Sequence, residues 1–218
     1  MIFYRVVHTM VIRAIKMFAR VEVLGAEHLP RSGAYLLVPS HRSMADIPLL
    51  AVLTRRRIRF MGKASLFRIL GLGRIFRALG SFPVERDGSD RAALRAGLDL
   101  LEIGEILVVF PEGTRCTSRQ IQPLQPGAAY LAIKAGVPLI PVGLAGSEEL
   151  GHQRRKRFGR RCRVVIAVGE PIPSPSRSGS VVPRALVNEH IGVLATRLEE
   201  VFAEAYSFRD RLHESDLS

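Results

Sequence analysis

"YLLVPSHRSMADIPLL", residues 35–50, joins an apolar run of strand length to a short polar turn and the opening of a helical pattern. Tyr35–Pro39 is too short for a helix and has no polar face, which is how a strand covered on both sides reads. The same reading holds for residues 58–62, 81–84, 106–110, 138–144 and 163–168, all apolar runs rich in β-branched residues. Helical patterns fall between them, over 47–53, 66–79, 89–103 and 127–135, the last closed by Gly136. A final helix is expected over 184–205, introduced by Pro183. Strands alternating with helices predict a single α/β domain with a largely parallel central sheet flanked by helices. In such sheets ligands bind beyond the carboxyl ends of the strands, so the strand exits are where chemistry is sought.

The 218 residues carry 32 Lys and Arg against 20 Asp and Glu, a net charge of +12, so the surface attracts anions. Two basic runs, "TRRRIRF" and "HQRRKRFGRRCR", concentrate that charge. Nucleic acid is not expected as the partner: tryptophan is absent, aromatics are 6% of the chain, and no zinc-finger spacing occurs. Anionic lipid or a phosphorylated molecule fits the charge. Cys116 and Cys162 make no disulfide framework and no C-x-x-C, which predicts a reducing compartment.

The first 20 residues are apolar but interrupted by Arg5, Arg13, Lys16 and Arg20, so no uninterrupted membrane-spanning run exists there. At about 100° per residue, Arg5, His8, Arg13, Lys16 and Arg20 share one side. Phe3, Val7, Met10, Ala14, Met17, Phe18 and Val21 share the other. This predicts a basic amphipathic helix in an N-terminal segment, residues 1–24, that associates with an anionic membrane, ahead of the main domain over 25–218. A first helix that packs its apolar face on the domain explains the same pattern, and the two are compatible.

His41 stands at a strand exit with Asp46 ahead of it in an H-x4-D spacing. Histidine is the side chain whose ordinary pKa suits proton acceptance near neutrality. For Asp46 a structural role is open as well, because Ser43-x-x-Asp46 resembles a capping box and Asp46 before Ile47-Pro48 suits an N-cap. In one regular helix the two side chains would point about 140° apart, so a contact needs a non-helical turn between them. Given that turn, Asp46 would fix the imidazole tautomer and leave the other nitrogen to take a proton from a hydroxyl. No G-x-S-x-G supplies a protein nucleophile, so the hydroxyl is expected to be the substrate's.

"FPEGTR" follows the strand at 106–110 with Glu112, Gly113, Thr114 and Arg115. Gly113 permits a tight turn and Arg115 can bind phosphate, while a Glu112–Arg115 ion pair within the turn is the plain structural alternative. Lys63 and Arg86 are cations at two further strand exits.

In order, "SHRSMAD", "FMGKASLF" leading to "GSFPVERD", "FPEGTR" and "GVPLIPVGLAG" resemble the four motif blocks of the glycerophospholipid acyltransferases, the family of 1-acylglycerol-3-phosphate acyltransferases. The resemblance implies transfer of a fatty acyl group from acyl-CoA or acyl carrier protein to the free hydroxyl of lysophosphatidate (1-acylglycerol 3-phosphate), giving phosphatidate, without metal or bound cofactor. It implies His41 and Asp46 as the catalytic pair and Arg115, Arg86 and Lys63 as phosphate contacts. Glu112, Gly113 and Thr114 would then belong to acceptor binding. Through its N-terminal basic helix the enzyme is expected to lie peripherally on the cytoplasmic face of the cell membrane. Ser40 stands where the family commonly has asparagine, and Cys116 where it commonly has serine. Glycerol 3-phosphate or another lysophospholipid is the alternative acceptor, and a non-catalytic protein binding anionic membrane or nucleic acid is the alternative from another class.

Overall fold

The computed structural model describes residues 2–63, 80–84, 90–152, 161–176 and 181–215. Seven strands form one sheet: β1 Ala19–Leu24, β2 Tyr35–Pro39, β3 Ile58–Lys63, β4 Ser81–Val84, β5 Ile106–Val108, β6 Leu139–Ala145 and β7 Cys162–Val168. Across the sheet they run β1-β7-β6-β2-β5-β3-β4. Every adjacent pair is parallel except β6 with β7, so β1 and β7 run opposite to the other strands. The helices are α1 Ile2–Phe18, α2 Asp46–Leu50, α3 Asp90–Glu102, α4 Gly127–Ala135, α5 Ser147–His152 and α6 Arg184–Ser215. The helix expected over 66–79 lies outside the described residues.

β2 is central, and all of its residues are buried. Alternate side chains serve opposite faces, as the pleat requires. Tyr35 and Leu37 join Ile140, Val142, Leu49 and Leu50 in a core that α1 and α2 cover. Leu36 and Val38 join Leu107, Leu131, Leu139 and Leu194 under α3, α4 and α6. α6 lies directly on β6 because Gly143 has no side chain: a Cβ there would stand 2.3 Å from Val201 O and 2.7 Å from Phe202 Cα.

The amphipathic N-terminal segment of the sequence reading divides into two elements. Helix ends at Phe18, and Ala19–Leu24 becomes an edge strand paired along its length with β7. The residues "ARVEVL" alternate between apolar and polar, and a parallel partner selects that period over the helical one. The sheet therefore includes residues that the expected boundary after residue 24 assigns to the N-terminal segment.

Within α1, Tyr4, Val7, His8, Val11, Ile12 and Ile15 are half-buried, and Tyr4 Oη and the His8 ring bond the carbonyls of Arg56 and Ala51 at 3.2 and 2.9 Å. His8 and Val7 thus face the protein rather than the open basic and apolar sides expected for them, and Val21, the last member of the apolar side, packs on the core from β1. The outer surface carries Phe3, Val6, Met10, Met17 and Phe18, each at least half exposed. Arg5, Arg13 and Lys16, also exposed, lie beside that stripe. α1 has three sectors: one packed on the domain, one apolar and open, one basic and open. It starts near Arg56, ahead of β3, and ends beside Cys162, at the edge where β2 and β6 finish.

Candidate active site

The exit from β2 is locked before the chain turns. Ser40 is fully buried; its N–H donates to Val142 O (2.9 Å) and its Oγ accepts the Leu144 N–H (3.0 Å), tying the end of β2 to β6. This small hydroxyl, at the position where the resembling family commonly has asparagine, satisfies a buried sheet N–H.

Residues 41–45 then form a non-helical turn, and α2 begins at Asp46. Asp46 is completely buried, and its Oδ2 accepts three hydrogen bonds: from the His41 ring Nδ1 (2.9 Å), the Arg42 N–H (2.6 Å) and the Ser43 N–H (2.7 Å). The Ser43 contact is half of the capping box read from Ser43-x-x-Asp46. The other half is replaced, since Ser43 Oγ takes the Ala45 N–H (3.2 Å) and Asp46 N–H goes to Ser43 O (3.2 Å). Ala45, not Asp46, occupies the N-cap position. Asp46 holds the turn from inside the first helical residue, and in doing so delivers its charge to His41.

An ionised carboxylate can only accept, so Nδ1 of His41 carries the proton and Nε2 has a free lone pair. The imidazole stacks on the Phe110 ring, centroids 3.9 Å apart with planes at 24°, and 13% of its side chain reaches the surface. Its backbone is clamped too: the His41 N–H donates to Glu112 Oε1 (2.8 Å) and its carbonyl accepts the Cys116 N–H (3.0 Å). The two motif blocks "SHRSMAD" and "FPEGTR" are thereby one unit at the adjoining ends of β2 and β5.

Arg42, which the sequence reading passed over, binds that unit together. It is 1% exposed. Nη2 donates to both Glu112 oxygens at 2.6 Å, and Nη1 to the carbonyls of Cys116 (2.6 Å), Ser118 (2.9 Å) and Gln120 (3.2 Å). Its guanidinium lies 4.8 Å from the Phe202 ring of α6. The sequence signal was indirect: a glutamate directly after a buried strand needs a multi-donor partner, and Arg42 stands at the neighbouring exit.

Glu112 consequently faces inward. Its side chain is fully buried, and Oε2 also accepts the Gln122 N–H (3.0 Å). With His41 N–H and Arg42, the carboxylate accepts four hydrogen bonds, its full capacity. The Glu112–Arg115 turn pair does not form, because Arg42 occupies Glu112. Gly113 has φ +69°, a left-handed conformation that favours glycine, and its N–H closes the turn on Phe110 O (3.2 Å). Thr114 and Arg115 are exposed, next to the Cys116 N–H that holds His41. Among the described residues Arg115 forms no ion pair, so its guanidinium faces solvent at the rim of the site. β3 ends at Lys63 on this same edge of the sheet, while Arg86 lies outside the described residues.

The two thiols differ. The Ser118 hydroxyl beside Cys116 (3.1 Å) draws its thiol below the ordinary pKa, whereas burial, aided by Glu149, pushes Cys162 up to about 12. Among the described residues no group of three or more His, Cys, Asp or Glu side chains is placed to hold a metal ion.

The acyltransferase family profile matches residues 20–145, the span from β1 to the end of β6 that contains this whole arrangement. The chain is 27% identical over 188 residues to the 1-acyl-sn-glycerol-3-phosphate acyltransferase of Bacillus subtilis, covering 83% of this chain and 91% of that protein. It is 30% identical over 174 residues to the human 1-acyl-sn-glycerol-3-phosphate acyltransferase alpha, covering 75% of this chain and 59% of the human one. The crystal structure of the 1-acyl-sn-glycerophosphate acyltransferase PlsC from Thermotoga maritima superposes with a TM-score of 0.69 at 26% identity, covering 91% of this chain and 79% of that one. The family match over more than half of the chain, together with these relatives, makes this chain a member of the acyltransferase family and an acyltransferase enzyme.

Proposed function

We propose that the enzyme transfers a fatty acyl group from a thioester, acyl-CoA or acyl carrier protein, to the free hydroxyl of 1-acylglycerol 3-phosphate, forming phosphatidate in phospholipid synthesis. The contact between His41 Nδ1 and Asp46 Oδ2 carries the reading, because it leaves Nε2 as a base at an accessible strand exit. Nε2 takes the proton of the acceptor hydroxyl as its oxygen attacks the thioester carbon. Asp46, buried and ionised, stabilises the imidazolium so formed. The C–S bond then breaks, and the thiolate leaves with the proton that His41 returns. Ester and free thiol are the products, and His41 ends as it began.

The acceptor phosphate is assigned to exposed Arg115 and to Lys63, where β3 ends on the same edge, with Arg86, outside the described residues, as the third cation of this reading. Thr114 stands beside Arg115 in the chain. Glu112 has no free oxygen for the acceptor, so its place in this reading is to shape the site, with Gly113 shaping the turn.

The lipid acceptor and product are delivered at a membrane surface, with α1 as the contact. No helix among the described residues is long and apolar enough to cross a membrane. Phe3, Val6, Met10, Met17 and Phe18 would enter the interface while Arg5, Arg13 and Lys16 meet anionic headgroups on its cytoplasmic face. Support comes from the open apolar sector of α1 and from its ending at the catalytic edge.

The test is thiol release by the purified protein from acyl-CoA and from acyl carrier protein thioester, against lysophosphatidate, glycerol 3-phosphate and other lysophospholipids. His41→Ala serves as the blank. Release that depends on lysophosphatidate and falls by about 10²–10⁴ in the variant is expected. Undiminished release by His41→Ala overturns the mechanism, and release with another acceptor alone overturns the substrate.

A further inference from the structure

We propose that Arg42 and Glu112 are positioning residues: one buried ion pair that fixes the backbone of His41 and the 112–122 loop, so that Glu112 acts through His41 and not on the acceptor. This rests on the reading of His41 as the base. The two side chains sit at the junction of the two strand exits, fully out of water, and every hydrogen bond they make beyond each other goes to backbone groups. Glu112 takes the N–H groups of His41 and Gln122, while Arg42 donates to the carbonyls of Cys116, Ser118 and Gln120. Cys116 in turn donates its N–H to the His41 carbonyl. The circuit closes: His41 is held at its nitrogen by Glu112, at its oxygen by Cys116, and both holders are held by Arg42.

The pair is an expensive device for mere stability, since burying two charges costs about as much as their attraction returns and apolar replacements often do as well. Geometry is what it supplies. The four N–H groups of Nη1 and Nη2, fixed in one plane, reach two carboxylate oxygens and three carbonyls at once, a set that a lysine ammonium cannot match. Neither residue is in reach of a phosphate: the carboxylate is saturated, and the Arg42 side chain is enclosed.

The test compares Glu112→Gln and Arg42→Lys with the unaltered protein, in steady-state kinetics and in amide hydrogen exchange across residues 38–46 and 112–122. Glu112→Gln keeps the shape while placing an amide NH₂ against donors. A misplacement of order 1 Å lowers kcat by about 10²-fold, and the acceptor KM should stay within about twofold. Exchange in both segments should quicken by about tenfold, with the rest of the sheet unchanged. A raised acceptor KM at unchanged kcat makes Glu112 an acceptor contact and overturns the proposal. Unchanged exchange at His41 and Cys116 overturns it as well.

Should Glu112→Gln fail to fold, Glu112→Asp, which keeps the charge but shortens the reach, and Arg42→Lys carry the same two measurements. The His41→Ala enzyme separates the two levels. If it remains active, the base assignment falls while the exchange result still decides the strut. If it is inactive and Glu112→Gln shifts only KM, the base stands and the strut falls.

Discussion

Asp46→Asn removes the charge beside His41 and leaves an oxygen where Oδ2 now accepts three hydrogen bonds. Oδ1 is buried without a partner among the described residues, so the new amide nitrogen would occupy that unpartnered place. The turn is therefore kept, at a stability cost of about 1–3 kcal/mol for an unsatisfied buried donor. The catalytic loss is larger and separable. A 2.9 Å contact puts the carboxylate and imidazolium centres about 4 Å apart, worth about 4 kcal/mol at an effective dielectric near 20. That stabilisation exists only once the hydroxyl proton has reached His41, so it belongs to the transition state and its loss lowers kcat by about 10³. Thiol release with saturating lysophosphatidate, run beside a thermal melt, reads both quantities. A folded Asp46→Asn enzyme within tenfold of wild-type kcat would refute the charge argument and leave Asp46 as a turn-holder alone.

Arg115→Ala should raise the KM for a phosphate-bearing acceptor by about 10-fold, as expected for a charge-assisted contact, and leave that for the thioester unchanged; equal acceptor kinetics would remove Arg115 from the site. Phe3→Ser with Met10→Ser, both on the open sector of α1, should weaken binding to vesicles containing anionic lipid without lowering the melting temperature. A lowered melting temperature with unchanged binding would show that this sector packs on protein. Iodoacetamide at pH 7 should label Cys116 and spare Cys162. A pKa of about 12 leaves Cys162 only about 10⁻⁵ as thiolate, and the thiol is buried, whereas the lowered pKa of Cys116 raises its reactive fraction as pH approaches neutrality from below. Labelling of Cys162 at a comparable rate would contradict its burial.

Much of the sheet is legible locally because β2, β6 and, after Arg163, β7 are buried on both faces and read as unbroken apolar runs. β1 was not, because a half-exposed edge strand of alternating residues next to a helix also fits the helical period for a turn. The reversal of β7 against β6 left no local trace either, since strand direction depends on where the connection through α5 delivers the chain. At the site, His41 and Asp46 stand out by residue type and by spacing at a strand exit. Arg42 does not: it reads as one more arginine on a basic surface, and only its burial reveals otherwise.

Sequence alone determined the alternation of strand and helix, the strand exits where polar groups gather, and the residue types that can move a proton or bind a phosphate there. Those follow from short-range physics: side-chain period, turn chemistry and the intrinsic properties of imidazole, carboxylate and guanidinium. Tertiary structure decided which charges meet. Glu112 turned from a ligand candidate into a buried strut, and Arg42 from surface charge into its partner, because a carboxylate in the gap between β2 and β5 cannot stay unpaired away from water. The same closure brought Asp46 onto His41, a contact that a regular helix would have forbidden and the turn over residues 41–45 allows.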